Sequence, residues 1–290
     1  MKKILSFLLL PIFSVSIAYA DFLDGKLAYE VGNYEAAHTE FLQAVNQEED
    51  PAQAADALYH LGWMYENGLG VETNPDTALS YYQQAANKGQ DQAQFALGYA
   101  YGTGSLGLTR SPIDSLSWYA KSANDGGNKD ASYNLGVAYL NGIGEIIRPN
   151  PALSRSWFQK GANLGSVESI YALAAIYYEG NGVEKDIPKS MELLRQATLM
   201  GFGQAAFYLA QLYDNQKPVS NENKKQAYYY YIVAQNLGFS APSLPEKINE
   251  LTLNMEQQDI ESVQVKLAKE AKDANNRKQQ ALEQYRNTDN

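Results

Sequence analysis

The sequence contains no cysteine and only two histidines, His38 and His60, among its 290 residues. Without cysteine, the chain has no disulfide framework, no thiolate-ligated zinc and no thiol nucleophile. Two histidines are too few for a site built from several imidazole ligands, and we expect neither a metal nor a cofactor. The formal net charge is −10. The basic surface typical of nucleic-acid binding is therefore lacking, and we expect no nucleic-acid partner.

Long apolar runs are also lacking after residue 20, so we expect no transmembrane segment in the mature chain. Residues 1–20 are typical of a secretory signal peptide. Lys2 and Lys3 precede an apolar run, Ile4–Ile17, and Ala18-Tyr19-Ala20 supplies the small residues of a cleavage site. We predict cleavage after Ala20 and a secreted protein, periplasmic if the source is a Gram-negative bacterium. The alternative is a membrane anchor, for which the apolar core is short.

Tyrosine is abundant, with 22 residues, and it recurs at a fixed position in a repeat. Each copy has a small residue, a leucine four positions later and a tyrosine four positions after that, which together occupy one face of a helix. The leucines are spaced by 36, 38, 38 and 36 residues and are Leu61, Leu97, Leu135, Leu173 and Leu209. Glycine or alanine follows each leucine, which lets a neighbouring helix approach closely.

A second helix follows in each copy. Glycines such as Gly68 and Gly70 end the first helix, and a proline such as Pro75 begins the next. A bulky pair such as Tyr81-Tyr82 then precedes small residues by one helical turn, a pattern that favours interlocking of two helices. We therefore interpret most tyrosines as packing residues.

The pattern Ala-x-x-x-Leu-Gly-x-x-Tyr-x-x-Gly-x-Gly-Val, followed by Ala-x-x-Trp-Tyr-x-x-Ala-Ala-x-x-Gly, resembles the Sel1-like repeat, a relative of the tetratricopeptide repeat (TPR) with a longer loop between its two helices. The resemblance implies an all-α fold, a right-handed α-solenoid of antiparallel helix pairs. The five repeats are expected at 56–89, 92–126, 130–165, 168–201 and 204–238. Extra loop residues occur in the second repeat at Ser105–Ser111 and in the third at Glu145–Pro149. The fifth repeat lacks the Gly-x-Gly pair.

Two flanking segments complete the predicted domain organisation. The Gly32-Asn33-Tyr34 turn lies between two short helical patterns, which indicates a TPR-like N-terminal cap over 21–55. Apolar residues at helical spacing predict a short helix near 244–253 and a longer one from about 256 to 284. The resemblance implies that this C-terminal part, 239–290, caps the last repeat. We expect its final residues, Arg286 to Asn290, to form a frayed tail.

The resemblance further implies a concave groove lined by the first helices, where an extended partner segment binds. Helical geometry turns the positions two before and two after each leucine towards that groove. The candidate partner-binding residues are Tyr59, Trp63, Asn67, Phe95, Tyr99, Tyr133, Asn134, Tyr171, Tyr178 and Phe207. Aromatic side chains of this kind suit a peptide interface because they bury much area at small entropic cost.

The two aromatic columns allow different interpretations. The residue two positions before the leucine is aromatic in every repeat. This constancy favours packing between helices over contact with a partner. The residue two positions after the leucine differs between repeats, as specific recognition of a partner would require. Trp63 and Tyr99 are therefore the stronger candidates for contact with a partner. Asn134 is either a hydrogen-bonding group beside them or a solvated side chain.

No catalytic constellation accompanies these features. The Gly-x-Gly pairs follow helices and lack the lysine of a phosphate-binding loop, and Ser-x-x-Lys does not occur. We expect no enzyme but a protein-binding scaffold or adaptor of the bacterial cell envelope. The alternative is a peptidoglycan-binding protein or a regulator of a cell-wall enzyme.

Overall fold

The computed structural model describes residues 13–47 and 50–288, and within these ranges the chain is helical apart from loops and one isolated bridge between Ile143 and Ile147. The predicted all-α fold of paired helices is confirmed. The helices are α1 (Phe13–Glu30), α2 (Tyr34–Gln47), α3 (Pro51–Asn67), α4 (Pro75–Asn87), α5 (Asp91–Thr103), α6 (Pro112–Asp125), α7 (Lys129–Asn141), α8 (Pro151–Asn163), α9 (Val167–Glu179), α10 (Ile187–Leu199), α11 (Gly203–Asp214), α12 (Asn221–Asn236), α13 (Ser243–Leu253) and α14 (Gln257–Thr288).

The predicted signal peptide lies mostly outside the described residues, which begin at Phe13. Residues 13–20 form the first turns of α1, which continues to Glu30. None of the described helices combines the length and the apolar character needed to cross a membrane. Cleavage after Ala20 stays a prediction.

The chain divides into two compact units, residues 1–166 and residues 167–290. In unit 1, each of the helices α1 to α8 packs mainly against the helices before and after it in the chain. In unit 2, α9 to α12 pack in the same way, and α12 also contacts α13 and α14. Packing between chain neighbours is the organisation of a repeat array, in which each helix pair buries its apolar face on the next pair.

A backbone hydrogen bond fixes the start of the second helix in each of the first four repeats. In the first repeat the N–H of Asn74 donates to the carbonyl of Tyr65 at 2.9 Å, and the Asn74 side chain caps α4 by accepting from the N–H of Thr77. The equivalent backbone pairs are Ser111–Tyr101, Asn150–Tyr139 and Asp186–Tyr177. The repeated tyrosine therefore positions the following helix through its carbonyl group.

Close contact between the two helices of a repeat explains the glycine after the leucine. A Cβ atom at Gly62 would lie 2.8 Å from the ring of Tyr82, and one at Gly136 would lie 2.5 Å from the ring of Phe158. Such distances are too short for carbon atoms in van der Waals contact. In these repeats the ring of the second helix therefore lies so close to the first helix that no Cβ atom fits between them.

The C-terminal helices α13 and α14 occupy the two segments whose spacing predicted helices. The hydroxyl of Tyr229 on α12 donates to Glu270 on α14 at 2.7 Å, and the Nζ atom of Lys266 lies 3.9 Å from the centroid of the Tyr229 ring. The Nζ atom of Lys225 lies 3.6 Å from a carboxylate oxygen of Asp259. These contacts hold the first half of α14 against the last repeat.

Candidate functional site

The candidate site is the surface that the first helices of the repeats expose, here called the first-helix face: α3, α5 and α7 in unit 1, and α9 and α11 in unit 2. In unit 1, Trp63 and Tyr99 are 40% and 53% exposed. Both stand two positions after the repeat leucine, and those leucines are fully buried. The helical turn that places Leu61 and Leu97 in the core thus turns the two rings towards solvent.

In four of the five repeats, the aromatic residue two positions before the leucine packs against a ring on the second helix of the same repeat. The ring centroids of Tyr59 and Tyr82 lie 5.9 Å apart. The equivalent pairs are Phe95–Tyr119 at 5.3 Å, Tyr133–Phe158 at 5.8 Å and Phe207–Tyr231 at 5.7 Å. Tyr59, Phe95 and Tyr133 are half-buried, and Phe207 is buried. A partner protein would therefore contact the edges of these rings rather than their faces.

The two candidate asparagines bond within the chain. Asn67 is exposed, and its side-chain N–H donates to the carbonyl of Trp63 at 2.9 Å. Asn134 is half-buried and forms a hydrogen bond with the Tyr119 hydroxyl. Burial raises the pKa of Tyr119 to about 12, and the Asn134 bond partly offsets that rise. Asn134 thus satisfies a nearly buried hydroxyl group of the second helix.

In unit 2, the first-helix face contains a cavity of about 270 Å³ between α9, α10 and α11. Two predicted site residues, Tyr171 and Tyr178, line it, whereas Phe207 does not. The remaining lining residues are Ala174, Ala175, Glu179, Ser190, Leu194, Tyr208, Gln211, Leu212 and Asn215. Apolar side chains form most of this surface, and a few polar groups stand among them, which is the usual composition of a binding pocket.

Small residues at two positions account for the room in this cavity. Ala175 occupies the position that Trp63 and Tyr99 occupy in the first two repeats, and Leu194 replaces the ring found on the second helix of the first three. Tyr171 is held on one side, since its hydroxyl accepts from the side-chain N–H of Gln204 at 3.2 Å and its ring meets Phe202 edge-on at 5.3 Å. The cavity is therefore bounded by a positioned ring.

Apart from the tyrosine hydroxyls, the polar side chains of the cavity are Glu179, Ser190, Gln211 and Asn215. Glu179 is exposed at the end of α9, and Gln211 and Asn215 contribute amides from α11 and its C-terminal end. Beside the cavity, the Nζ atom of Lys185 lies 4.9 Å from the ring centroid of Tyr178. The ring of Tyr178 thus already attracts an ammonium group within the chain.

Sequence reasoning missed Tyr208 and the contribution of the second helix α10. Tyr208 is 41% exposed and stands one position before the repeat leucine, where the other repeats have His60, Ala96, Asn134 and Ala172. Variation in that column was a signal that could have drawn attention to it. Leu194 and Ser190 could not have been found in this way, because they belong to columns that pack in every repeat.

Both histidines have pKa values shifted from that of a free imidazole side chain. Burial lowers the pKa of His60, which stacks on Phe41 with ring centroids 4.9 Å apart, and also that of His38. The described part of the chain contains no group of three or more histidine, aspartate or glutamate side chains arranged to hold a metal ion. The cavity in unit 2 offers aromatic rings, amides and the carboxylate of Glu179 for non-covalent contacts.

Curated relatives include regulatory proteins of fungi. The chain is 32% identical to chitin synthase regulatory factor 1 of Schizosaccharomyces pombe over 159 residues, 55% of this chain and 34% of that protein. It is 25% identical to the chitin synthase regulator SKT5 of Saccharomyces cerevisiae over 194 residues, 63% of this chain and 27% of that protein. The chain therefore spans about a third or less of the length of these relatives.

Solved structures with the same architecture come from bacteria. A Sel1 repeat protein from Oxalobacter formigenes superposes with a TM-score of 0.64 at 28% identity, over 76% of this chain and 83% of that one. The protective antigen c5321 of uropathogenic Escherichia coli, which has a Sel1-like repeat fold, gives 0.54 at 25% identity over 82% of this chain and 60% of that one. The sequence itself matches the Sel1 repeat in five consecutive segments, 55–90, 91–127, 129–166, 167–202 and 203–239. With more than half of its length in these segments, the chain belongs to the Sel1 repeat family.

Proposed function

We propose that this protein is a non-catalytic adaptor that binds a segment of another protein on its first-helix face. Sel1 repeats mediate protein–protein interaction. The observation that carries the proposal is the exposure of Trp63 and Tyr99 on neighbouring first helices of unit 1. Exposed aromatic side chains on a rigid helical scaffold are typical anchors of protein interfaces.

Packing within the repeat does not account for these two rings, although the Trp63 side chain also forms a hydrogen bond with Tyr29 on α1. The buried leucines and the rings of the second helices already form the core of the first two repeats. Trp63 and Tyr99 have large exposed surfaces, whereas the same column contains half-buried Val137 in the third repeat. The side chains that differ between repeats are thus those that a specific partner would contact.

We further propose that the protein works in the bacterial cell envelope. Lys2 and Lys3, the apolar run Ile4–Ile17 and Ala18-Tyr19-Ala20 support export. N-terminal sequencing of the protein recovered from fractionated cells tests this part. A mature N-terminus at Asp21 in the periplasmic fraction is expected, and an intact N-terminus in the cytoplasmic fraction would contradict it.

A second candidate function is regulation of a cell-wall enzyme. The names of the fungal relatives, a chitin synthase regulatory factor and a chitin synthase regulator, favour it. In this version the partner on the first-helix face is itself an enzyme of wall synthesis or turnover. Direct binding of peptidoglycan by Trp63 and Tyr99 is the other outcome, and sedimentation with purified peptidoglycan distinguishes it from binding to a protein.

Site-specific photo-crosslinking in the native envelope tests the adaptor function. A photoreactive amino acid at position 99 is expected to capture a partner protein. The same amino acid at position 113 should not, because Ile113 is exposed on the second helix α6 and lies outside the first-helix face. Trp63→Ala should reduce the crosslink from position 99, whereas Ile113→Ala should not. Equal crosslinking from both positions would overturn the assignment of the face.

A further inference from the structure

The charges of the five repeats are divided between the two kinds of helix. The first helices carry seven acidic residues and one basic residue: Asp56, Glu66, Asp91, Asp130, Glu168, Glu179, Asp214 and Lys129. The second helices carry seven basic and five acidic residues. The first helices of each unit are therefore net negative in formal charge, with Asp214 paired to Lys247 at 3.4 Å, and long-range attraction favours a positively charged partner segment.

The cavity in unit 2 is the place on this face best suited to a single cationic side chain. Glu179 lines it, and no lysine or arginine stands among its described lining residues. Ala174, Ala175 and Leu194 supply apolar surface for the aliphatic part of a lysine side chain. The rings of Tyr178 and Tyr208, both more than 40% exposed, can receive an ammonium group. A volume of about 270 Å³ lies below the usual range for drug-sized ligands and suits one long side chain.

The same unit already contains a lysine that lies over a tyrosine ring. Where α14 packs on α12, the Nζ atom of Lys266 lies 3.9 Å from the ring centroid of Tyr229, and Glu270 accepts a hydrogen bond from the hydroxyl of that tyrosine. A tyrosine ring, whose hydroxyl donates to a carboxylate, thus lies against an ammonium group at the edge of the array. The cavity likewise contains tyrosine rings together with the carboxylate of Glu179, and Lys185 beside it contacts the ring of Tyr178.

We propose that the cavity bounded by Tyr171, Tyr178, Glu179 and Tyr208 binds a lysine side chain of a basic, extended segment of the partner protein. This inference rests on the proposed function, because it names the chemistry of the partner that the first-helix face binds. Lysine fits better than a bulky aromatic side chain because the carboxylate of Glu179 would gain nothing from an uncharged ring.

Fluorescence anisotropy with the purified full chain tests the proposal. The probe is a fluorescein-labelled peptide with four lysines separated by Gly-Ser, and the matched peptide has acetylated lysines, which keep the stem and lose the charge. Saturable binding of the first peptide and at least tenfold weaker binding of the second are expected. Equal binding of the two peptides would overturn the proposal.

Variants locate the binding in the cavity. Glu179→Gln and Tyr208→Ala are each expected to weaken binding of the lysine peptide by about threefold to tenfold. Glu184→Gln is the matched control, since it makes the same change of charge in the exposed loop after α9 and does not line the cavity. Equal losses of affinity for Glu179→Gln and Glu184→Gln would show that the peptide binds by general electrostatic attraction. That result would contradict binding in the cavity.

A variant that is expected to tighten peptide binding separates loss of the binding site from damage to the fold. Lys185→Ala removes a competing ammonium group from the ring of Tyr178, so binding of the lysine peptide should tighten. A weakened affinity for this variant would speak against the proposal.

The photo-crosslink from position 99 in unit 1 is measured independently. If that crosslink forms and the peptide assay fails, only the lysine cavity is wrong; if both fail, the adaptor function falls as well.

Discussion

Gly98 on α5 lies directly against the ring of Tyr119 on α6, such that a Cβ atom at Gly98 would be 2.6 Å from Cδ1 of that ring. This contact joins the two helices of the second repeat at its centre, beneath the exposed Tyr99. A side chain at position 98 would push the helices apart and move the first-helix face with them.

We therefore expect Gly98→Ala to destabilise unit 1 by about 1–2 kcal/mol, because overpacking outweighs the better helix propensity of alanine. Urea unfolding followed by circular dichroism measures the change. Gly98→Ala with Tyr119→Leu reproduces the fourth repeat, where Ala174 and Leu194 occupy these positions. Coupling is expected, with the double variant less destabilised than the sum of the single variants. Additive changes in the free energy of unfolding would show that the ring of Tyr119 is not what excludes a methyl group at position 98.

Ser154 on α8 donates its hydroxyl hydrogen to the carbonyl of Gly136 on α7 at 2.8 Å, and the serine is fully buried. Ser115 and Ser190 make the same bond in the second and fourth repeats. We expect Ser154→Ala to lower the free energy of unfolding by about 1 kcal/mol. Ser156→Ala on the exposed side of α8 is the control and should leave it unchanged within about 0.5 kcal/mol.

The contact between the N-terminal helices and α3 should weaken in acid because of His60. Its ring lies among those of Phe41, Tyr29 and Tyr59, and burial lowers its pKa, against a smaller opposing effect of Asp56. A lowered pKa in the folded state means that the unfolded chain binds the proton more readily. Stability is therefore full above the unfolded pKa of about 6.5 and is lost as the pH falls below it, by at most about 1.4 kcal/mol per pH unit.

The measurement compares urea unfolding at pH 7.5 and pH 5 for the parent chain and for His60→Phe, which keeps an aromatic ring and cannot be protonated. A smaller loss of stability on acidification is expected for the variant. His38, which lies 3.3 Å from the Tyr65 hydroxyl and whose pKa burial also lowers, leaves part of the dependence in place. An unchanged acid dependence in His60→Phe would exclude His60 as its source.

Docking of α14 on α12 should depend on Tyr229. Tyr229→Phe removes the hydrogen bond to Glu270 and keeps the ring for Lys266, whereas Tyr229→Ala removes both contacts. Faster amide hydrogen exchange in residues 257–270 is expected for both variants, with the larger change for alanine. Glu261→Gln is the control because Glu261 accepts from Gln257 on the same helix. Equal exchange in all variants would show that other contacts hold α14.

The repeat and its helix pairs could be predicted from the sequence because the small residue, the leucine and the tyrosine recur in phase, and helical geometry places such residues on one face. The exposed positions of Trp63 and Tyr99 follow from the same geometry. The bond between Asn134 and Tyr119 could not be predicted, because two residues on different helices form it. The positions of Phe95, Tyr133 and Phe207 against second-helix rings were likewise left open between packing and contact with a partner.

The sequence alone determined the architecture of this protein, since each repeat carries its own leucine, glycine and aromatic positions and needs only its chain neighbours to bury them. The tertiary structure decided which surfaces remain available for binding. Tyr171, Ala175, Leu194 and Tyr208 come from three helices and form a cavity only when those helices pack. Volume left between packed helices depends on the side chains of all of them together, so it is a property that no single segment of the chain contains.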